Sequence, residues 1–286
     1  MSDDRYIGVF DSGIGGLTVL KEIISLLPNE NILYLGDTAR VPYGPKPKPV
    51  ITEYALQAAK FFERSDIKVL VVACNTVSAV AISDIAKTVN FPIIGTVQAS
   101  ARVAVQVTKN KRVGVIGTRA TIFSGTYEKV LQRLDAEVEV FSKACPPFVS
   151  LVERGWIDNR FTNLVIKRYL SELKKRGIDT LVLGCTHYPL LIPAIARFMG
   201  EKTTLVNGAP AVADDLKRLL VEKNMLRAGT KGRVNLCLTL LSNISNKLIA
   251  RILPEAAINS IKHVRLVEKT DQRVSADSLR YVGRER

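Results

Sequence analysis

"IKVLVVACNT" occupies residues 67–76 and "IDTLVLGCTH" occupies residues 178–187. The two align without gaps at an offset of 178 − 67 = 111. Each is a nearly continuous run of Val, Leu and Ile that ends in a cysteine followed by small or polar residues. A run of this kind lacks the polar alternation of a half-exposed strand. It reads as a strand buried on both faces, as in a parallel sheet covered by helices. Upstream, "IGVFDSG" at 7–13 matches "VGVIGTR" at 113–119, at an offset of 113 − 7 = 106. Two matched pairs in the same order, at near-equal offsets, point to two similar α/β units.

The rest of the chain fits this scheme. Strands are predicted at 6–10, 31–35, 67–73, 92–94, 112–116, 137–141 and 178–184, with helical patterns at 16–27, 50–64, 160–176 and 209–223. Strand and helix alternate, which predicts an α/β fold of two similar doubly wound domains with mainly parallel sheets, related by pseudo-symmetry. The first domain is expected from residues 1–97 plus 208–286 and the second from 98–207. The active site is expected in the cleft between them.

Composition narrows the function. With 286 residues and 47% hydrophobic content, the chain can bury a large core. No apolar stretch reaches the ~18 residues of a membrane helix. The start, "MSDDRYIGVF", is acidic and runs straight into a strand, so no secretory signal is read there and a cytoplasmic protein is expected. The four cysteines, Cys74, Cys145, Cys185 and Cys237, have neither zinc-site nor Cys-x-x-Cys spacing. In a reducing compartment they are thiols. The net charge of +14 is spread along the chain, without a basic run or basic residues interleaved with aromatics. A nucleic-acid partner is therefore not expected. A basic surface also favours an anionic metabolite.

Ligands of parallel sheets gather at the carboxyl ends of the strands. Cys74 and Cys185 stand at two such ends, each expected to open a helix, so two facing units would bring one thiol to each wall of a shared cleft. A disulfide would need Cα atoms within about 7 Å and an oxidising compartment. Zinc wants about four ligands, and only His187 is near. A buried core cysteine is the bland reading, and it fits poorly for two cysteines each followed by polar residues. Acid–base chemistry from two sides fits better. One thiolate takes a proton from a carbon while the opposite thiol donates to the other face, inverting the stereocentre. Both groups must then be of one type, because the reaction runs both ways. No Gly-rich pyridoxal-phosphate site is evident, so the expected mechanism uses no cofactor and no metal.

Six stretches carry a resemblance: "IGVFDSGIGGLTVL" (7–20), "YLGDTARVPYG" (34–44), "VVACNTVSA" (71–79), "GVIGTRATIFSGTY" (114–127), "ACPPFVSLVERG" (144–155) and "DTLVLGCTHYPLL" (179–191). In this order, across most of the chain, they resemble the glutamate racemases of the cofactor-independent aspartate/glutamate racemase superfamily. The resemblance implies interconversion of L- and D-glutamate, supply of D-glutamate for peptidoglycan synthesis, and a homodimer. It implies Cys74 as the acid/base for the D-glutamate proton and Cys185 for the L-glutamate proton. Asp11 matches the polar partner of the first thiol, His187 that of the second, and Glu153 an acidic position near the site. Ser12, Tyr43, Gly44, Asn75, Thr76 and Thr186 match substrate contacts, as do Asp11 and His187. Aspartate racemases usually carry a glutamate after the Cys-Thr pair, so His187 points toward glutamate.

The bland alternatives are that Asp11 and Ser12 cap the helix near Gly16 and that "VPYGPKPKPV" (41–50) is a stiff loop rather than a lid. Two stretches depart from the family pattern. At 98–100 the chain reads Gln98-Ala99-Ser100, where the family commonly has Pro-Gly at the last two positions. At 207–208 it reads Asn207-Gly208, where the family commonly has an acidic residue and a serine. Both are expected near the domain crossings. The alternatives to glutamate racemisation are an isomerase for another acidic substrate, such as aspartate, and a binding role for the basic surface.

Overall fold

The computed structural model describes residues 2–266. It contains two all-parallel sheets flanked by helices. Strands β1 (Tyr6–Asp11), β2 (Ile32–Gly36), β3 (Ile67–Val72), β4 (Ile93–Gly95), β9 (Val234–Leu238) and β10 (Ser260–His263) form one sheet, in the order β10-β9-β2-β1-β3-β4. Strands β5 (Arg112–Gly117), β6 (Glu139–Ala144), β7 (Thr180–Gly184) and β8 (Thr204–Val206) form the other, in the order β6-β5-β7-β8. Four strands of the first sheet therefore repeat the order of the second: β2-β1-β3-β4 matches β6-β5-β7-β8. β1 corresponds to β5 and β3 to β7, the two pairs that the internal sequence match picks out.

The α/β class and the parallel sheets agree with the sequence reading. The strand predicted at 137–141 is displaced to Glu139–Ala144, where its pairing with β5 runs from Arg112↔Glu139 to Gly117↔Ala144. Residues 178–179 belong to the turn before β7 rather than to the strand. Cys185 does not open an α-helix directly. A 3₁₀ turn, Tyr188–Leu191, follows it and leads into the helix Ile192–Met199. The residues from 267 onward, expected as part of the first domain, lie outside the described residues.

We propose the two expected domains as the units of the fold, one per sheet. The helices Thr96–Val107 and Ala209–Glu222 lie at the crossings and pack against each other, with Arg102 Nη2 and Asp215 Oδ1 2.6 Å apart. The two departures meet here. Asn207 Oδ1 accepts the Ala209 amide at 3.1 Å and satisfies one of the open N–H groups at that helix start. A Cβ on Gly208 would lie only 2.0 Å from Ser100 Oγ. The serine on one crossing thus requires the glycine on the other.

One continuous apolar cluster crosses both units, from Ile7 and Leu20 through Ala99 and Val212 to Leu181 and Ile195. A buried ion pair secures the far end of the first sheet. Lys68 Nζ donates to Glu30 Oε2 (2.5 Å) and to the Asp3 and Met225 carbonyls, while Glu30 Oε1 accepts the Arg227 amide. An ion pair with little access to water is tolerable only when its remaining hydrogen-bonding capacity is also used.

Candidate active site

The carboxyl ends of β1, β3 and β7 carry the candidate side chains Asp11, Cys74 and Cys185. The first sheet's chain leaves β1 at Asp11 and turns through 12–16 into the helix Leu17–Leu26, which has no side-chain cap. Asp11 meets the Gly16 amide at that helix start, and its contacts also reach beyond the helix to Thr186. Asp11 is fully buried. Its Oδ2 accepts the Gly13 amide at 2.9 Å and its Oδ1 accepts the Thr186 hydroxyl at 3.3 Å. Burial pushes its carboxyl above the usual range, while the nearby His187 charge and the Gly16 and Gly13 amides pull the other way. Asp11 is thus a carboxylate of the first unit bonded to the residue after Cys185 in the second.

Cys74 precedes the helix Asn75–Val80, and its backbone stays extended. It is 4% exposed, and its Sγ donates to Ser12 Oγ at 3.3 Å. Burial pushes its thiol up to about 12, and the Asp11 charge adds to that rise. The Ser12 hydroxyl and the Val77 and Ser12 amides oppose it. At neutral pH Cys74 is a thiol.

Cys185, 6% exposed, ends β7. Its Sγ lies 3.9 Å from His187 Nδ1, and His187 Nε2 lies 3.5 Å from Glu153 Oε1 at the end of the helix Pro147–Glu153. The latter separation is an ion-pair distance, longer than an N–H···O hydrogen bond. Burial of the imidazole disfavours its charge, but Cys185 and Glu153 outweigh burial and raise it to about 10. Their positions make His187 a proton-holding partner of Cys185.

The sign of this shift sets a pH dependence. A histidine raised in the folded state stabilises the fold fully below its unfolded value of 6.5, and that stability is lost as pH rises toward about 10. The expected result is that the unfolding midpoint of wild type falls more steeply between those limits than that of His187→Asn, followed by thermal melts across pH. Parallel melting curves would remove the assignment.

Thr76 and Asn75 are buried on the wall beside Cys74. Thr76 Oγ1 lies 2.9 Å from Thr118 Oγ1 and 3.2 Å from Thr121 Oγ1, and Asn75 Oδ1 accepts the Tyr127 hydroxyl at 2.7 Å. Tyr43 and Gly44 cover the cleft from the loop after β2. The Tyr43 hydroxyl is committed to Asp37 Oδ2, and Asp37 also accepts from Arg40 Nε and the Thr239 hydroxyl. Gly44 O accepts the Ala120 amide, and a Cβ on Gly44 would sit 2.6 Å from Thr118 Cβ. The Tyr43-Gly44 segment thus touches the second unit.

Asp11, Ser12, Tyr43, Gly44, Cys74, Asn75, Thr76, Glu153, Cys185, Thr186 and His187 therefore all fall around one cleft. Thr118, Thr121, Tyr127 and Asp37 join them without having been singled out from the sequence. For Thr118 a signal existed: the match of 7–13 to 113–119 sets Thr118 on Ser12. Tyr127 and Asp37 had none, because their roles depend on register and packing between distant segments.

The comparisons with known proteins identify the family. The family model described as Asp/Glu/hydantoin racemase matches residues 17–216. A glutamate racemase of Geobacter metallireducens is 51% identical over 78% of this chain and 83% of its own. One of Bacillus cereus is 40% identical over 93% of this chain and 99% of its own. The crystal structure of glutamate racemase from Francisella tularensis, in complex with D-glutamate, superposes with a TM-score of 0.87 at 35% identity, covering 92% of this chain and 98% of that one. The chain belongs to the Asp/Glu/hydantoin racemase family and, within it, groups with the glutamate racemases.

Proposed function

We propose that this chain racemises glutamate, with Cys74 and Cys185 as the paired acid and base. One observation carries the proposal. The two thiols end equivalent strands of two equivalent sheets, are buried in one cleft, and are linked by Asp11 reaching from the first sheet to Thr186 of the second.

With L-glutamate bound, Cys185 acts as a thiolate beside the protonated His187, 3.9 Å away, and takes the Cα proton from one face. The electron pair stays on Cα, delocalised into the carboxylate. The Cys74 thiol gives its proton to the opposite face, which leaves D-glutamate, a thiolate at Cys74 and a thiol at Cys185. The reverse reaction exchanges the two roles. A Cys74 thiol held up to about 12 suits the donor role in the L-to-D direction. Once it has donated, the Ser12 hydroxyl can rotate to donate to the new thiolate, together with the Ser12 and Val77 amides.

Asp11 pairs with the substrate ammonium, and Asn75, Thr76 and Thr186 meet carboxylate oxygens. The backbone of Tyr43-Gly44 closes over the far end. Cα carbanions need fixed dipoles in a site without bulk water, and both thiols are nearly inaccessible. Substrate entry therefore requires the two units to part. The family resemblance extends the proposal to a cytoplasmic homodimer that supplies D-glutamate for peptidoglycan synthesis. Among the described residues no helix is long and apolar enough to cross a membrane.

Purified protein in dithiothreitol, with no cofactor added, is expected to abolish the circular dichroism of L-glutamate as the racemic mixture forms. A signal that persists at high enzyme concentration overturns the proposal. A higher kcat/KM for aspartate than for glutamate assigns the site to the other substrate.

A further inference from the structure

We infer that Tyr127 is a positioning residue for the racemisation, a spacer that sets the Asn75 amide and the separation of the two thiol-bearing walls. This rests on the racemase activity proposed above.

Tyr127 lies in the first turn of the helix Thr126–Leu134, in the second unit, and is 2% exposed. It touches both cysteine segments. Its hydroxyl donates to Oδ1 of Asn75, the residue after Cys74 (2.7 Å). Its ring edge rests on Gly184, the residue before Cys185, so closely that a Cβ there would lie 3.1 Å from Tyr127 Cε2. No other side chain described above spans the same two places.

The chemistry gives the contact a consequence. A primary amide has one accepting end and one donating end. A phenol that occupies Asn75 Oδ1 leaves the NH₂ group as the free end, and only a donor can meet a substrate carboxylate. An inverted amide would set oxygen against oxygen. Asn75 also borders the small cavity that reaches Cys185 and Thr186, so its orientation is felt at both walls. The bond runs between the two units. When they part to admit substrate, the amide loses its partner, and when they close it is set again. Recognition of the carboxylate is thereby coupled to closure.

The test is a cycle of Tyr127→Phe, Asn75→Ala and the double variant, with kcat and KM measured for both enantiomers. Phenylalanine keeps the ring on Gly184 and removes only the hydroxyl. The expected result is a KM raised about tenfold for L- and D-glutamate, with kcat changed less than about threefold, the pattern of lost binding common to ground and transition states. The double variant is expected to be no weaker than Asn75→Ala alone, since the bond that the hydroxyl donates goes to that amide. Tyr127→Leu, which withdraws the ring as well, is expected to lower kcat too. Thermal melts check that each variant is folded. An unchanged KM in Tyr127→Phe, or penalties that add in the double variant, overturns the inference while wild-type activity stands. A wild type that does not racemise overturns this inference and the proposed function together.

Discussion

Cys74→Ala and Cys185→Ala are each expected to slow racemisation by at least ~10³-fold, within the range for loss of a positioned general acid or base and equivalent to about 4 kcal/mol of barrier. Neither sulfur has a substitute. Cys74 Sγ is hydrogen-bonded to the Ser12 hydroxyl, and Cys185 Sγ faces the His187 imidazole, which is placed to hold a proton beside the sulfur rather than to reach Cα. Because each turnover needs a base on one face and an acid on the other, either loss stops the same step. The double variant is therefore expected to be no slower than the slower single variant. The two single variants are expected to differ in isotope exchange. In deuterium oxide, Cys74→Ala keeps the base for L-glutamate and is expected to exchange the Cα proton of that enantiomer slowly, with retention. Cys185→Ala is expected to do so with D-glutamate. Proton NMR of the Cα signal distinguishes the outcomes. A single variant that racemises at more than a tenth of the wild-type rate would sink the two-thiol scheme.

The repeat made most of this arrangement legible in the sequence. Continuous Val/Leu/Ile runs ending in Cys74 and Cys185 marked β3 and β7, and the match between 7–13 and 113–119 marked β1 and β5. Those four strands lie at the centre of their sheets, where burial on both faces leaves an apolar run to read. What was not legible lies at the margins. β8 has three residues, and β10 alternates between half-buried and exposed positions at a sheet edge. β9 is well buried but short, and it follows a polar stretch. Pairing rather than composition makes these three segments strands. The same holds within the site. Cys74 and Cys185 stand out by type and position, while Asp11 and His187 are named by the family resemblance. Tyr127 and Asp37 act by holding Asn75 and Tyr43, and nothing local to positions 127 or 37 reveals which segment will fold against them.

Gly15→Ala is expected to lower kcat/KM about 100-fold while leaving the fold intact. A Cβ at Gly15 would stand 2.4 Å from Thr186 Oγ1 and 2.5 Å from His187 Nδ1, both in the second unit. The backbone at Gly15 is not in the left-handed region, so alanine itself is not strained there. The cost falls entirely on the contact. Either the Thr186 hydroxyl leaves Asp11 and the His187 ring leaves Cys185, or the two units close less far. Both outcomes displace a reacting group by a fraction of an ångström to an ångström, and about 1 Å of misplacement is enough for a ~10²-fold loss. L- and D-glutamate have equal free energy, so kcat/KM must fall by the same factor in both directions, although the clash lies on the Cys185 side alone. Gly13→Ala supplies the control. The tightest contact of a Cβ there is a Val41 methyl at 3.1 Å, which a small side-chain shift relieves, while Val41 Cβ at 3.7 Å and Asp11 Oδ2 at 4.0 Å are at ordinary contact distance. If Gly15→Ala is as active as Gly13→Ala, the two walls of the cleft have more slack than their contacts allow, and Gly15 is not what sets their approach.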